Sequence, residues 1–212
     1  MLQAQITGVG QRTYPHYFLC YYSGMSTGPD WLSTSLLNFK RDTTNTVAAW
    51  SDCAASAIRS LQLPPDTLLI RALYSHETTV AAGADMPLDR LCRTIASRCR
   101  LTYLPGLLGK TRPSFPLHQL PSVPDRRTEL DRVYRLNPGI IVPSNQPILL
   151  IDDLLTTGLT AINIIKAIRT VVPDVRLSLF TLAKTEFAPD INKKLDLKGT
   201  KYQWDGVKWI GL

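Results

Sequence analysis

Apolar positions along the chain change their period several times, and each change marks an element. Residues 17–22, Tyr-Phe-Leu-Cys-Tyr-Tyr, are an aromatic-rich run closed by Ser23-Gly24 and read as a strand. The rest of residues 1–29 carries no clear period, and Ser26-Thr27-Gly28-Pro29 continues the loop. From Asp30, Trp31, Leu32, Leu36, Leu37 and Phe39 keep helical spacing until Lys40-Arg41-Asp42 breaks to the surface. A second helix, capped by Thr44 or Thr46, aligns Val47, Trp50, Ala54, Ile58 and Leu61. Pro64-Pro65-Asp66 is a hard turn, and residues 67–74 read as a buried strand. A helix opening near Pro87 carries Leu88, Leu91, Cys92, Ile95, Ala96 and Cys99. Residues 101–104 make a short strand, and Leu130, Val133 and Tyr134 suggest a short helix or strand.

Ile148 to Ile151 are four consecutive apolar residues, as expected of a strand buried on both faces, and Asp152 and Asp153 end it abruptly. Ile162, Ile165, Ile168, Val171 and Val172 then keep helical spacing up to Pro173. Residues 176–183 read as the next strand, and the tail suggests a hairpin about Asp205-Gly206. Strands alternate with helices across residues 44–183, which predicts an α/β fold with a parallel twisted sheet and helices on both faces. Ligands of such sheets sit at the carboxyl ends of strands. The loop after strand 67–74 and the turn after Asp153 would meet there.

Residues 105–127 break the alternation. They hold five prolines, with Lys110, Arg112, Arg126 and Arg127 among them. A long basic segment beside a site at the strand ends predicts a mobile lid, poorly ordered without a ligand.

Length and composition narrow the classes. The 212 residues suit one domain, with 1–35 and 184–212 as peripheral or hood-like additions. Hydrophobic residues make up 44% and charged residues 19%, an ordinary globular balance, and no apolar run is long enough to span a membrane. The N-terminus has no basic region followed by an apolar one, so no signal peptide is expected. A formal net charge of +7 favours anionic partners, phosphate and pyrophosphate first and nucleic acid second. The aromatics cluster at the two ends rather than among the lysines, which turns the reading away from nucleic acid. Lysines 184, 193, 194, 198, 201 and 208 read mainly as solvated. Cys20, Cys53, Cys92 and Cys99 form no paired zinc spacing, and thiols packed in a core point to a reducing cytoplasm.

The chemistry concentrates at residues 148–160. A helix N-terminus offers unpaired N–H groups and a positive dipole end, Gly158 lets a ligand approach, and threonine hydroxyls add donors. That turn should hold a phosphate. A carboxylate pair just upstream would repel phosphate unless it served other groups, and acceptor-only carboxylates suit ribose hydroxyls, or magnesium through water. His76 and Glu77 could form an acid–base pair, but a solvated loop pair is the preferred reading.

These thirteen residues, Ile148 to Thr160, resemble the signature of the type I phosphoribosyltransferases. The order of segments looks like the competence-protein F type: Leu36-Leu37-Asn38-Phe39-Lys40 resembles its short segment before the first helix, and Thr111-Arg112, Gln119-Leu120 and Arg126 or Arg127 resemble its lid. The zinc module of that group has no counterpart in the cysteine pattern, and Ala72-Leu73-Tyr74-Ser75-His76-Glu77 replaces its usual first loop.

The resemblance, which covers about residues 36–183, implies a transferase that binds phosphoribosyl pyrophosphate with Mg2+ and passes phosphoribose to a nitrogenous base, releasing pyrophosphate. Asp152 and Asp153 would hold the ribose hydroxyls. Leu154, Leu155, Thr156, Thr157, Gly158, Leu159 and Thr160 would form the sugar-phosphate cradle, and Leu73, Tyr74 and Ser75 the pyrophosphate loop. Lys110 and Arg112, with Arg126 or Arg127, would close over the leaving group. A homodimer is a compatible assembly. The competing reading is a non-catalytic protein that keeps the sugar-phosphate pocket for regulation or DNA uptake.

Overall fold

The computed structural model describes residues 1–8, 12–23 and 31–185, together with two short strands at 202–204 and 209–211. The Ser26–Pro29 loop and most of the lysine-rich tail, Lys193, Lys194, Lys198, Lys201 and Lys208 included, lie outside the described residues. In chain order the elements are β1 (Leu2–Thr7), β2 (Thr13–Tyr22), α1 (Trp31–Lys40), α2 (Thr44–Ser60), β3 (Leu68–Arg71), α3 (Pro87–Cys99), β4 (Thr102–Tyr103) and β5 (Leu108–Lys110). Then follow α4 (Val123–Leu130), β6 (Tyr134–Leu136), β7 (Pro147–Leu155), α5 (Leu159–Val171), β8 (Arg176–Thr185), β9 (Tyr202–Trp204) and β10 (Trp209–Gly211). The central sheet runs β1-β2-β8-β7-β3-β4. Its pairs are parallel except β1 with β2, so the expected α/β architecture with a mostly parallel sheet is present.

Alternation along β7 and β8 divides the core. Ile148, Leu150, Leu177 and Leu179 face α5 residues such as Ile164, Ile165 and Ile168. Leu149, Ile151, Phe180 and Leu182 face Leu36 and Phe39 of α1, Trp50 and Ile58 of α2, and Leu91 and Ile95 of α3. Both faces of the central strand are thus covered, which is why Ile148–Ile151 carries no polar residue. Cys92 on α3 is fully buried in this core, and Cys99 on the same helix donates its thiol to Ala55 O at 3.3 Å, which matches the packing read from their spacing.

The structure corrects several sequence expectations. The signature strand does not stop at the acids. β7 continues to Leu155 because β8 is long enough to keep pairing with it, Asp152 opposite Thr181 and Leu155 opposite Lys184. The strand expected over 67–74 ends at Arg71, where the chain turns away after Ala72 N–H donates to Ile151 O at 2.8 Å. The N-cap of α2 is Thr43, not Thr44 or Thr46, and the Thr43 hydroxyl instead donates back to Asn38 O at 2.7 Å, linking α1 to α2. β1 was not legible in the sequence, since its inward set is only Leu2, Ala4 and Ile6.

Residues 105–130 are also more regular than a structureless lid. β5 pairs with β6, placing Lys110 opposite Tyr134, and α4 begins at a Ser122 cap whose Oγ accepts Asp125 N–H at 3.2 Å. Pro124 sits in the first turn of α4, where its missing N–H costs nothing. Leu130 thus ends a helix and Tyr134 opens a strand. In the tail, β9 and β10 pair antiparallel with Trp209 opposite Trp204, as a hairpin requires, while residues 205–208 lie outside the described set.

One core contact gives a stability prediction. His16 on β2 is fully buried, and its Nε2 lies 2.8 Å from Thr181 Oγ1. That hydroxyl donates to Ala183 O, so it accepts from His16, which assigns the Nε2–H tautomer. Burial, with Lys184 adding to it, holds His16 down at about 4. The unfolded chain therefore binds this proton more readily, and stability falls as pH drops from 6.5 towards 4. His16→Gln, which keeps a partner for Thr181 but cannot ionise, should lower the midpoint of acid unfolding by about half a pH unit. Circular dichroism during acid titration checks this, and an unchanged or higher midpoint counts against it.

Candidate functional site

At the carboxyl ends of β3 and β7 the chain forms a cleft of about 510 Å3. The run from Asp152 to Ala161 makes one wall, and the loop from Ala72 to Ser75 with Lys110 makes part of another. Ser114, Phe115, Pro116, Leu117, Arg126, Leu130 and Tyr134 add a partly apolar, aromatic side, and Lys40 closes the rim.

The acid pair owes its geometry to strand alternation. Asp152 continues the row of Ile148 and Leu150, and Asp153 continues the row of Leu149 and Ile151, so they address opposite faces of the sheet edge. Asp153 meets α1, where Lys40 Nζ lies 3.1 Å from its Oδ2. Asp152 lies towards the β5–β6 side, and its Oδ1 accepts Asp153 N–H at 2.9 Å. Burial and the neighbouring Asp153 charge push Asp152 up to about 7, against the smaller pull of Lys40 and Arg71. For Lys40, burial pulls the ammonium down, but the charge and hydrogen bond of Asp153, with Asp152 and Tyr22, raise it net.

After β7 the turn Thr156–Gly158 leads into α5. Gly158 caps this thirteen-residue helix at φ 74°, in the left-handed region open to glycine, without a side-chain cap bond. The backbone demands glycine, and a Cβ there would stand 2.8 Å from Ile6 Cδ1, so the end of the Ile6 side chain would have to shift. The first α5 bond recorded at this end is Ile162 N–H to Gly158 O at 2.9 Å, which leaves the N–H groups of Leu159, Thr160 and Ala161 without intrahelical acceptors. Thr156 and Thr157 are exposed beside them, and Thr160 is half-buried. The arrangement presents donors and a positive dipole end to the cleft.

The loop after β3 stands on a buried charge cluster that the sequence did not reveal. Arg71 is fully buried and donates to Asp89 (Nε–Oδ1 2.7 Å) and to both oxygens of Glu77 (2.7 and 2.8 Å). Glu77 Oε2 also accepts Tyr74 N–H at 2.7 Å, and Tyr103 donates to Asp89 Oδ1 at 2.8 Å. Glu77 is therefore a structural partner, not half of a solvated pair with His76, which is exposed and stacks on Tyr74. Such a cluster is self-consistent because each carboxylate is paired, and Arg71 provides the forked donor set for two of them.

Of the residues expected at the site, the structure brings together Leu73, Tyr74, Ser75, Lys110 and Asp152 to Thr160. Lys110 is not an exposed lid residue. It is 2% exposed, and its Nζ donates to Tyr74 O at 2.7 Å and Ser114 Oγ at 3.2 Å, over the Tyr134 ring. Burial holds it down at about 8, opposed by Glu77, Asp152 and Glu129. Arg112 is not in the cleft: it pairs with Glu129 at 2.7 Å and donates to Glu129 O at 3.0 Å. The same Glu129 Oε1 also accepts Phe115 N–H at 2.8 Å. Arg126, whose guanidinium donates to Leu120 O, lines the cleft instead. Lys40, read as a surface lysine, is the missed member. The available signal was its position directly after the core residue Phe39, at the end of α1.

No protein-family model matches the sequence, and no curated protein matches it. Among solved structures, adenine phosphoribosyltransferase of Leishmania tarentolae is similar over 68% of this chain and 73% of its own, at 15% identity and a TM-score of 0.40. The Trypanosoma brucei adenine phosphoribosyltransferase in complex with AMP, pyrophosphate and ribose-5-phosphate covers 68% of this chain and 67% of its own, at 15% identity and a TM-score of 0.36. Xanthine-guanine-hypoxanthine phosphoribosyltransferase of Helicobacter pylori covers 86% of this chain and 96% of its own, at 9% identity and a TM-score of 0.34.

Proposed function

We propose that the cleft binds phosphoribosyl pyrophosphate and transfers its phosphoribosyl group to a nitrogenous base. The carrying observation is that the acid pair of β7 and the Gly158-capped N-terminus of α5 open into one cleft. Phosphate at the helix end and ring hydroxyls at the carboxylates describe the two ends of a ribose 5-phosphate. The loop of Leu73, Tyr74 and Ser75 and the Lys110 ammonium lie across the cleft, where a pyrophosphate group would need donors and positive charge. Phe115, Leu117 and Tyr134 offer an apolar, aromatic wall suited to a flat base.

In the reaction, a ring nitrogen of the base forms a bond to the anomeric carbon as the carbon–oxygen bond to pyrophosphate breaks. The chain contributes mainly position and charge. Thr156, Thr157, Leu159 and Thr160 hold the 5-phosphate, Asp152 and Asp153 fix the ring, and Lys110 meets charge growing on the leaving oxygen. Among the described residues no three His, Cys, Asp or Glu side chains converge as a cation cage. Two adjacent carboxylates instead fit Mg2+ held largely by water and ligand phosphates, and that ion would neutralise the pyrophosphate.

The test is calorimetric titration with phosphoribosyl pyrophosphate and Mg2+, followed by a pyrophosphate-release assay against each common nucleobase. Saturable binding and release with at least one base are expected. Binding without release from any base would favour the non-catalytic, regulatory reading, and absence of binding would overturn the proposal. Among the described residues no helix is long and apolar enough to cross a membrane.

A further inference from the structure

The basic end of α1 reaches the acid pair. Lys40 is the last residue of α1, where the negative end of the helix dipole favours an ammonium. Phe39 beside it is fully buried in the core between α1 and the sheet, which anchors the base of the Lys40 stem. The aliphatic stem then carries Nζ to 3.1 Å from Asp153 Oδ2, on the rim of the cleft.

We propose that Lys40 is a positioning residue for sugar recognition: it clamps Asp153 through Oδ2 and so aims the other oxygen into the cleft, at the two adjacent ring hydroxyls of ribose. This rests on the reading of the cleft as a ribose phosphate site. Without the clamp, two neighbouring carboxylates repel, and Asp153 is free to rotate out towards solvent. The other charged or titratable groups around the pair lie elsewhere. Tyr22 adjoins Lys40, Tyr74 stands beside Asp153, and Arg71, Lys110 and Tyr134 act on Asp152 from β3, β5 and β6. Arg71 is already committed to Glu77 and Asp89, and Lys110 to Tyr74 O, which leaves the Asp153 contact to Lys40.

A carboxylate aimed at two hydroxyls distinguishes ribose from its 2-deoxy analogue, whereas the helix end treats their phosphates alike. The experiment is calorimetric titration of wild type, Lys40→Met and Lys40→Arg with ribose 5-phosphate, 2-deoxyribose 5-phosphate and inorganic phosphate. Wild type should prefer ribose 5-phosphate by roughly tenfold. Lys40→Met should bind ribose 5-phosphate and 2-deoxyribose 5-phosphate with equal affinity, with inorganic phosphate titrated to separate any general loss of anion affinity from loss of this preference, and Lys40→Arg should recover most of it. A folded Lys40→Met protein that keeps the full preference would overturn the role of Lys40 and leave the site reading standing. A wild type that binds none of the three would overturn both.

Discussion

Asp152→Asn is expected to make the protein more stable above neutral pH while removing most of its affinity for phosphoribosyl pyrophosphate. Asp152 is raised from 3.8 to about 7 by burial and by the charge of Asp153. The folded state therefore holds this proton more tightly than the unfolded chain does. The associated stability is fully present below 3.8 and is lost as pH rises through about 7. Asparagine cannot ionise and can still accept Asp153 N–H through its side-chain oxygen, so the gain over wild type opens between those values and is complete above them. Each pKa unit corresponds to about 1.4 kcal/mol, and solvent screening of a half-buried group reduces the sum to about 2 kcal/mol. For a chain of this size that raises Tm by about 4–8 °C at pH 8. Replacing one acceptor of a charged hydrogen bond should weaken the ligand roughly 100-fold. Melting curves at pH 5 and pH 8, with calorimetric titration, read both effects. An equal or lower Tm at pH 8 would show that the pair carries no electrostatic strain, and undiminished binding would remove it from the site. A carboxylate pair that destabilises the fold it sits in is the usual mark of a residue kept for function.

The second large effect is expected at Gly158. Alanine there must adopt φ near 74° and bring its Cβ to 2.8 Å from Ile6 Cδ1. The left-handed backbone alone costs about 1–2 kcal/mol, and the clash brings the loss to about 2–4 kcal/mol. Because the same turn aims the first N–H groups of α5, affinity for inorganic phosphate should fall roughly tenfold or more. Gly83 provides the comparison: its φ is 76°, yet a Cβ there meets nothing within 4 Å. Gly83→Ala should lose only the backbone part, about 1 kcal/mol, with phosphate binding unaltered. Adding Ile6→Val removes the Cδ1 methyl, so the Ile6→Val, Gly158→Ala double variant should lose less than the sum of the two single losses. Chemical denaturation of the four proteins measures this. Strict additivity would place the cost in the backbone alone.

Much of the fold was readable because it is written locally. The helices of Thr44–Ser60 and Pro87–Cys99 follow from unbroken apolar spacing, and the α5 stripe from Ile162, Ile165 and Ile168. Failures came where local signals were weak or where tertiary contacts intervened. β1 buries only Ile6 fully, and the proline-rich stretch from Pro105 reads as loop although Ser122, Pro124 and the β5–β6 pairing give it structure. Element ends at Arg71 and Leu155 were decided by how far neighbouring strands continued to pair.

The sequence by itself determined the corner where β7 turns into α5. A buried strand, two acids, threonines, one glycine and an amphipathic helix are contiguous, and their mutual geometry follows from the backbone that joins them. Only the tertiary structure decided which charges serve that corner. Lys40 and Asp153 are far apart in the chain but 3.1 Å apart in space, because Phe39 locks α1 onto the face that Asp153 addresses. Lys110 is drawn into the cleft wall by Tyr74 O, whereas Arg112, two residues on, is taken by Glu129 outside it. Arg71, Glu77 and Asp89 find one another only because β3, its loop and the start of α3 pack together. A long charged side chain can reach several partners, and burial and hydrogen-bond geometry choose among them, which a linear pattern does not encode.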